Sequence, residues 1–305
     1  VKALILSSNM DTAGIGIALK YAMEKYTDWS VRVIHRLHRY MAYPTDLYWA
    51  LGAPMPAGYA DLFREADVIH VVERWNAVTP FAGWRDKPLV MHHHGAEFDE
   101  FRTQELIREV AEYRAYGIVS TPDLLLNGPS LEWLPNPCNL DRMRQIRHDN
   151  FVLHEGLRIA HSPTDRVRKD TDLFLSVVPS DFTTDVIEGE TWDECLARKA
   201  QADIFYDQLR IGYALSSIEA MAMGIPVVSG ASDQRTIDLM LNLFGDLPFL
   251  LANEHTLGEQ LEHMRDPEVR RLFAAAGTAH VERWHDESKV ARQLDLIWQK
   301  AMAMR

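Results

Sequence analysis

The chain has 305 residues, 47% of them hydrophobic, which is apolar material for two ordinary cores and more than one α/β domain needs. Its formal net charge of −12 argues against a molecule that coats nucleic acid or an anionic membrane as a whole, since that binding rests on Lys and Arg neutralising phosphates. Only Cys138 and Cys195 are present, far apart and outside any CxxC spacing, so neither a disulfide framework nor a zinc site is indicated, and a reducing, cytoplasmic setting fits.

Taken in chain order, residues 1–7 are apolar but short and run into Asn9 and Asp11, which predicts a buried first strand and not a signal peptide. The segment DTAGIG, from Asp11 to Gly16, follows that strand and opens a helix to about residue 26. Two glycines there allow backbone to approach a ligand at a helix N-terminus, although the third glycine of a dinucleotide fingerprint is missing and a plain tight turn stands beside the ligand reading. Strand-like runs follow at 31–34, 68–72, 89–91 and 118–120, an alternation with helices that predicts a parallel sheet. After the second run the chain is basic and aromatic, with Arg32, Arg36, Arg39, Tyr40 and Tyr43; it could hold an anionic acceptor or a membrane surface, or simply be a strand and a solvated loop. His92, His93 and His94 are consecutive, so on an extended segment they alternate faces and cannot all ligate one ion. The expectation is that His94 points into a cleft as a hydrogen-bond partner.

Residues 127–139 are rich in turn formers and close a first domain, with a linker expected over about 140–155. The α/β pattern then restarts: strands near 157–160, 203–206, 226–228 and 249–251, helices near 171–177 and 192–201, and a final helix over about 290–302. Between the first of these strands and its helix lie Arg166 and Lys169, placed to converge on a pyrophosphate, with Arg168 expected to be exposed. The stretch SIEAMAMGIPVVSG from Ser217 is a short helix bearing Glu219 near its start, stopped by Gly224 and Pro226 and followed by a β-branched strand. Glu219 either accepts hydrogen bonds from a ribose or, with Ser216 at capping-box spacing, only caps its helix.

In this order the motifs resemble the retaining GT-B glycosyltransferases of family 4, also called glycosyl transferases group 1. The resemblance runs over nearly the whole chain: the Gly14/Gly16 loop, Asp67 to His70, His93 to Gly95, Ser120 to Asp123, Leu134 to Pro137, His161 to Thr164 with Arg166 and Lys169, Ala202 to Phe205, and above all Ile218 to Val228. It implies an α/β fold of two Rossmann-like parallel-sheet domains facing each other across a cleft: residues 1–145 on the acceptor side, 146–285 binding the nucleotide sugar, and 286–305 as a helix packed on one of them. It further implies that Glu219 and Ser217 bind the donor nucleotide, that Arg166 and Lys169 hold its diphosphate, that His94 faces the donor sugar, and that Gly14 and Gly16 lie near the transferring phosphate. The donor would be a UDP- or GDP-sugar and no metal or other cofactor would be required. The acceptor, a glycan, lipid or small molecule, is not readable, and nucleic acid is disfavoured. One departure stands out. The family's first glutamate, eight residues before Glu219, is Ile211 here, preceded by Asp207-Gln208-Leu209. Two other readings stay open at this point: a non-catalytic nucleotide-sugar-binding protein and a GT-B sugar-nucleotide epimerase.

Overall fold

The structure is a computed structural model of the chain; it describes residues 1–7, 14–37, 42–94, 107–126, 128 and 130–305. Asp11, Arg39 and Gly95 therefore lie outside the described residues. The chain forms two compact units, Val1–Pro137 with Glu287–Arg305, and Cys138–Asp286. No helix among the described residues is long and apolar enough to cross a membrane.

The first unit is built on a seven-stranded sheet of order β3-β2-β1-β4-β5-β6-β7, in which every pairing is parallel. Its strands are β1 Lys2–Ser7, β2 Ser30–His35, β3 Leu47–Tyr48, β4 Val68–Val72, β5 Leu89–His93, β6 Tyr116–Val119 and β7 Glu132–Trp133. The central strands are buried on both faces, as a sheet covered on both sides requires. One face packs under the helix Ile15–Tyr26 and the last helix Glu287–Ala303, with Leu19, Met23, Leu294, Ile297 and Trp298 in a common core. The other carries a second core around Phe63, Trp75 and Phe81. The strand order reverses between β1 and β4, so the carboxyl ends of those two strands flank a topological switch point.

The second unit has a five-stranded parallel sheet of order β12-β11-β10-β8-β9, formed by β8 Arg158–His161, β9 Thr183–Val186, β10 Ile204–Tyr206, β11 Val227–Ser229 and β12 Leu250–Leu251. Here the order reverses between β8 and β10.

The expected linker over 140–155 is instead largely a helix, Leu140–Asn150, which belongs to the second unit. Asn139 caps it by accepting from the Arg142 N–H at 2.9 Å. Only Leu140 and Met143 of this helix are buried, and so polar a segment carries little periodic signal. The division accordingly falls between Pro137 and Cys138.

Candidate functional site

In the second unit the loops that leave β8 and β10 are stitched together. Lys169, in the loop after β8, forms an ion pair with Asp207, the first residue after β10. Asp170, at φ 51°, accepts from the Leu209 N–H at 3.2 Å and from the Arg210 guanidinium at 3.0 Å. Asp207 also takes the Ala214 N–H at 2.8 Å and the Ser217 hydroxyl at 2.6 Å. Burial alone would raise the Asp207 carboxyl, but the Lys169 ammonium and these hydrogen bonds hold it below its ordinary value. Asp207 thus fixes Lys169 and the start of the helix Leu215–Ala222 with one buried carboxylate.

Glu219 lies inside that helix, whose N-cap is Ala214 without a side-chain cap, so Ser216 and Glu219 form no capping box. Its two oxygens face different partners. The Trp192 indole N–H donates to Oε1 at 2.8 Å and the Lys199 ammonium to Oε2 at 2.5 Å. Lys199 is fully buried and also reaches the Ser216 hydroxyl at 3.1 Å, which meets Ser162 at 2.8 Å. Burial works against the ammonium, yet Glu219 beside it more than offsets this and keeps the Lys199 pKa above its ordinary value. A carboxylate oxygen has two lone-pair sites, so each oxygen of Glu219 retains capacity for a further donor.

His161 ends β8. Its Nδ1 lies 3.0 Å from the Tyr206 carbonyl, which only accepts, so Nδ1 carries the proton and Nε2 accepts from the Thr171 hydroxyl at 2.8 Å. Burial pushes its pKa down to about 4.

The residues singled out from sequence are placed unevenly. Lys169, Ser217 and Glu219 converge on the carboxyl edge of the second sheet, although the Ser217 hydroxyl is buried and taken up by Asp207. Arg166 is exposed and pairs with Glu188 at 2.8 Å and Asp172 at 3.3 Å, away from Lys169's partner. Ile211 donates its backbone N–H to Gln208 Oε1 at 3.0 Å and pairs with Ala231 in an isolated bridge, so that position offers no carboxylate.

In the first unit, Gly14 is left-handed at φ 63°, and a Cβ there would lie 2.5 Å from the Tyr43 ring. Gly16 serves packing: a Cβ would meet Val33 Cγ1 at 3.1 Å beneath the helix. His70 in the middle of β4 and His92 and His94 at the end of β5 form a buried series. The Trp298 indole donates to His70 Nδ1 at 3.2 Å, which leaves the His70 proton on Nε2, facing His92 Nδ1 at 3.2 Å. The His92 and His94 rings stand 4.5 Å apart. His94 Nε2 is buried and has no hydrogen-bond partner among the described residues. Burial pushes His70 and His94 down to about 3, so both are neutral imidazoles at physiological pH. Among the described residues no group of three or more His, Cys, Asp or Glu side chains is placed to hold a metal ion.

Sequence reading missed Trp192 and Lys199, and it noted Asp207 only as part of the Asp207-Gln208-Leu209 element, without the role of pairing with Lys169. A lysine in an amphipathic helix reads as solvated, and only the rarity of buried lysines makes Lys199 notable once the fold is known.

No family model and no curated protein matches the chain in sequence. Solved structures match along its full length. A glycosyltransferase from Rickettsia africae superposes with a TM-score of 0.66 at 8% identity, covering 99% of this chain and 98% of its own. HepE (Alr3699) of Anabaena in complex with UDP-glucose gives 0.69 at 13%, covering 98% and 99%. Sucrose-phosphate synthase of Thermosynechococcus elongatus gives 0.64 at 14%, covering 100% and 99%. The chain therefore has the GT-B glycosyltransferase fold: an α/β chain with two parallel sheets.

Proposed function

We propose that the protein is a glycosyltransferase that moves a sugar from a nucleoside-diphosphate sugar to an acceptor hydroxyl, metal-independently and with retention at the anomeric carbon. The observation that carries this reading is the convergence of Lys169, Asp207 and Glu219 where the strand order of the second sheet reverses, the place where open α/β sheets bind nucleotides. It gains support from the fold, which HepE bound to UDP-glucose shares. In this account Glu219, held by Lys199 and Trp192, accepts from the ribose hydroxyls. Lys169 faces the diphosphate, with Arg166 joining once it leaves Glu188. Gly14 lets backbone N–H groups come close to the transferring phosphate, and His94 meets the sugar as a neutral partner.

Chemically, the bond from the anomeric carbon to the diphosphate oxygen breaks as the acceptor oxygen bonds to the same face, and the acceptor's proton passes to the departing phosphate. Negative charge grows on the leaving group, and fixed cations and N–H groups that stabilise it lower the barrier. A candidate covalent nucleophile is not needed on this route. The donor base is uridine or guanosine.

The test is product analysis. The protein is incubated with UDP- or GDP-sugars and a panel of glycan, lipid and small-molecule acceptors, with and without EDTA, and the new linkage is read by NMR. Retained anomeric configuration insensitive to EDTA is the expected result. An inverted linkage would overturn retention, interconverted donor without transfer would identify an epimerase, and binding without turnover across the panel would make the protein a nucleotide-sugar binder.

A further inference from the structure

Of the three arginines in the basic stretch after β1 and its helix, Arg32 has a structural partner: its fork donates to Asp46 at 2.8 and 3.1 Å, and Asp46 also takes the Val33 N–H at 3.0 Å. Arg36 does not. It is the first residue past β2, only 7% exposed, with its guanidinium carbon 3.8 Å from the centre of a Trp49 ring. Its Nε is buried without a hydrogen-bond partner, and its guanidinium forms no ion pair among the described residues. Burial draws its pKa below the ordinary arginine value, and among the described residues no carboxylate counteracts it.

Buried charges in folded proteins are almost always paired, because leaving water is costly for an ion and only a counter-charge compensates. An arginine that merely covers apolar surface extends its head into water. Arg36 instead rests on an indole that is itself immobilised. The Trp49 backbone N–H donates to the His35 carbonyl and its indole N–H to the Ala53 carbonyl, each at 2.9 Å, and Phe81 meets its ring edge-on at 5.8 Å. A guanidinium stacked by its face keeps its N–H fork free in the plane, the arrangement that takes a phosphate or carboxylate through two parallel hydrogen bonds. The position suits a ligand as well. In the parallel register His35, Ser7, Val72 and His92 form one row across the sheet, and Arg36 is just beyond that row on the carboxyl edge, where α/β sheets hold ligands.

We infer that Arg36 on its Trp49 platform is an oxyanion site of the first unit, and that it selects an acceptor bearing a phosphate or carboxylate group. The word acceptor rests on the glycosyltransferase reading; the anion site itself does not. With a net charge of −12 the molecule's overall field repels anions, so binding here depends on local geometry and on the fork.

The test uses the full chain without donor. Glucose 6-phosphate, glucuronate, inorganic phosphate and neutral glucose are titrated calorimetrically into the wild type, Arg36→Gln and Arg36→Lys, with UDP-glucose titrated in parallel. The expected result is binding of the anionic probes and not of glucose, about tenfold or more weaker in Arg36→Gln. Arg36→Lys, which keeps the charge and loses the fork, should fall between, and it serves alone if Arg36→Gln does not fold. A preference for glucose 6-phosphate or for glucuronate names the acceptor's acid group. Equal affinity of wild type and variants for every anionic probe, or no anionic probe binding more tightly than glucose, would overturn the inference. UDP-glucose affinity should be the same in all three proteins; its absence in the wild type would strike the transferase reading while leaving the anion result standing.

Discussion

Glu219 gains its meaning from residues twenty or more positions earlier in the chain. Lys199 and Trp192 each donate to one of its oxygens, which fixes the carboxylate's orientation. An ion pair this deeply buried is costly to break from one side. Lys199→Met should destabilise the second unit by about 3–5 kcal/mol, because Glu219 is left as a buried, uncompensated charge. Adding Glu219→Gln to that variant should restore most of the loss, as measured by urea unfolding. Equal losses in the single and double variants would mean that the two groups do not depend on each other. Gly16 makes a smaller point of the same kind. The sequence suggests a glycine that admits a ligand, whereas the structure gives it Val33 as a neighbour, so Gly16→Ala should cost about 1–3 kcal/mol through overpacking.

At the scale of elements, strand ends carry the chemistry, and buried strand histidines carry the pH dependence. His70, in the middle of β4, and His94, just past β5, have pKa values of about 3 in the fold, well below the ordinary histidine value of 6.5. As pH falls below about 6.5 the unfolded chain takes up protons that the folded chain refuses, so stability is complete above that value and is lost progressively as pH falls toward 3. Each such histidine should contribute roughly 1–2 kcal/mol less at pH 5 than at pH 7. That window lies above carboxylate titration, and a flat urea midpoint across it would show that the imidazoles take protons in the folded state. Several strands and helices with apolar runs were legible in the sequence: 68–72 and 171–177 match Val68–Val72 and Thr171–Val177 to the residue. Several elements were not, the helices Tyr59–Glu65, Gln234–Phe244 and Leu257–His263 among them. The two-residue strands Leu47–Tyr48 and Glu132–Trp133 are too short for any periodicity. The edge strand β9, Thr183–Val186, is only half-buried and lacks an apolar run. The helix Leu140–Asn150 is polar enough to pass for a linker.

At the scale of the molecule, the chain returns to its first unit at the end, where Glu287–Ala303 lays Leu294, Ile297 and Trp298 on the sheet and Trp298 donates to His70. Removing residues 287–305 should therefore unfold the first unit and leave the second one native, observable as loss of about half of the dispersed amide signals in an NMR spectrum. Uniform loss of both, or of neither, would contradict the division into units. The α/β alternation made two sheets legible because most of their central strands carry their own apolar run. What remained hidden were partnerships that depend on tertiary placement: Lys199 with Glu219, Asp207 with Lys169, and Arg36 with Trp49. Spacing along a chain does not encode such pairs.

The most direct test of the account is calorimetric binding of UDP, GDP, ADP and their glucose or mannose conjugates, in EDTA, to the wild type and to Glu219→Asp, which keeps the charge beside Lys199 and withdraws it by one methylene. The account predicts that a uridine or guanosine nucleotide binds without metal and that Glu219→Asp weakens it about tenfold with the fold intact. No binding by any nucleotide, or equal affinity in the variant, would contradict it.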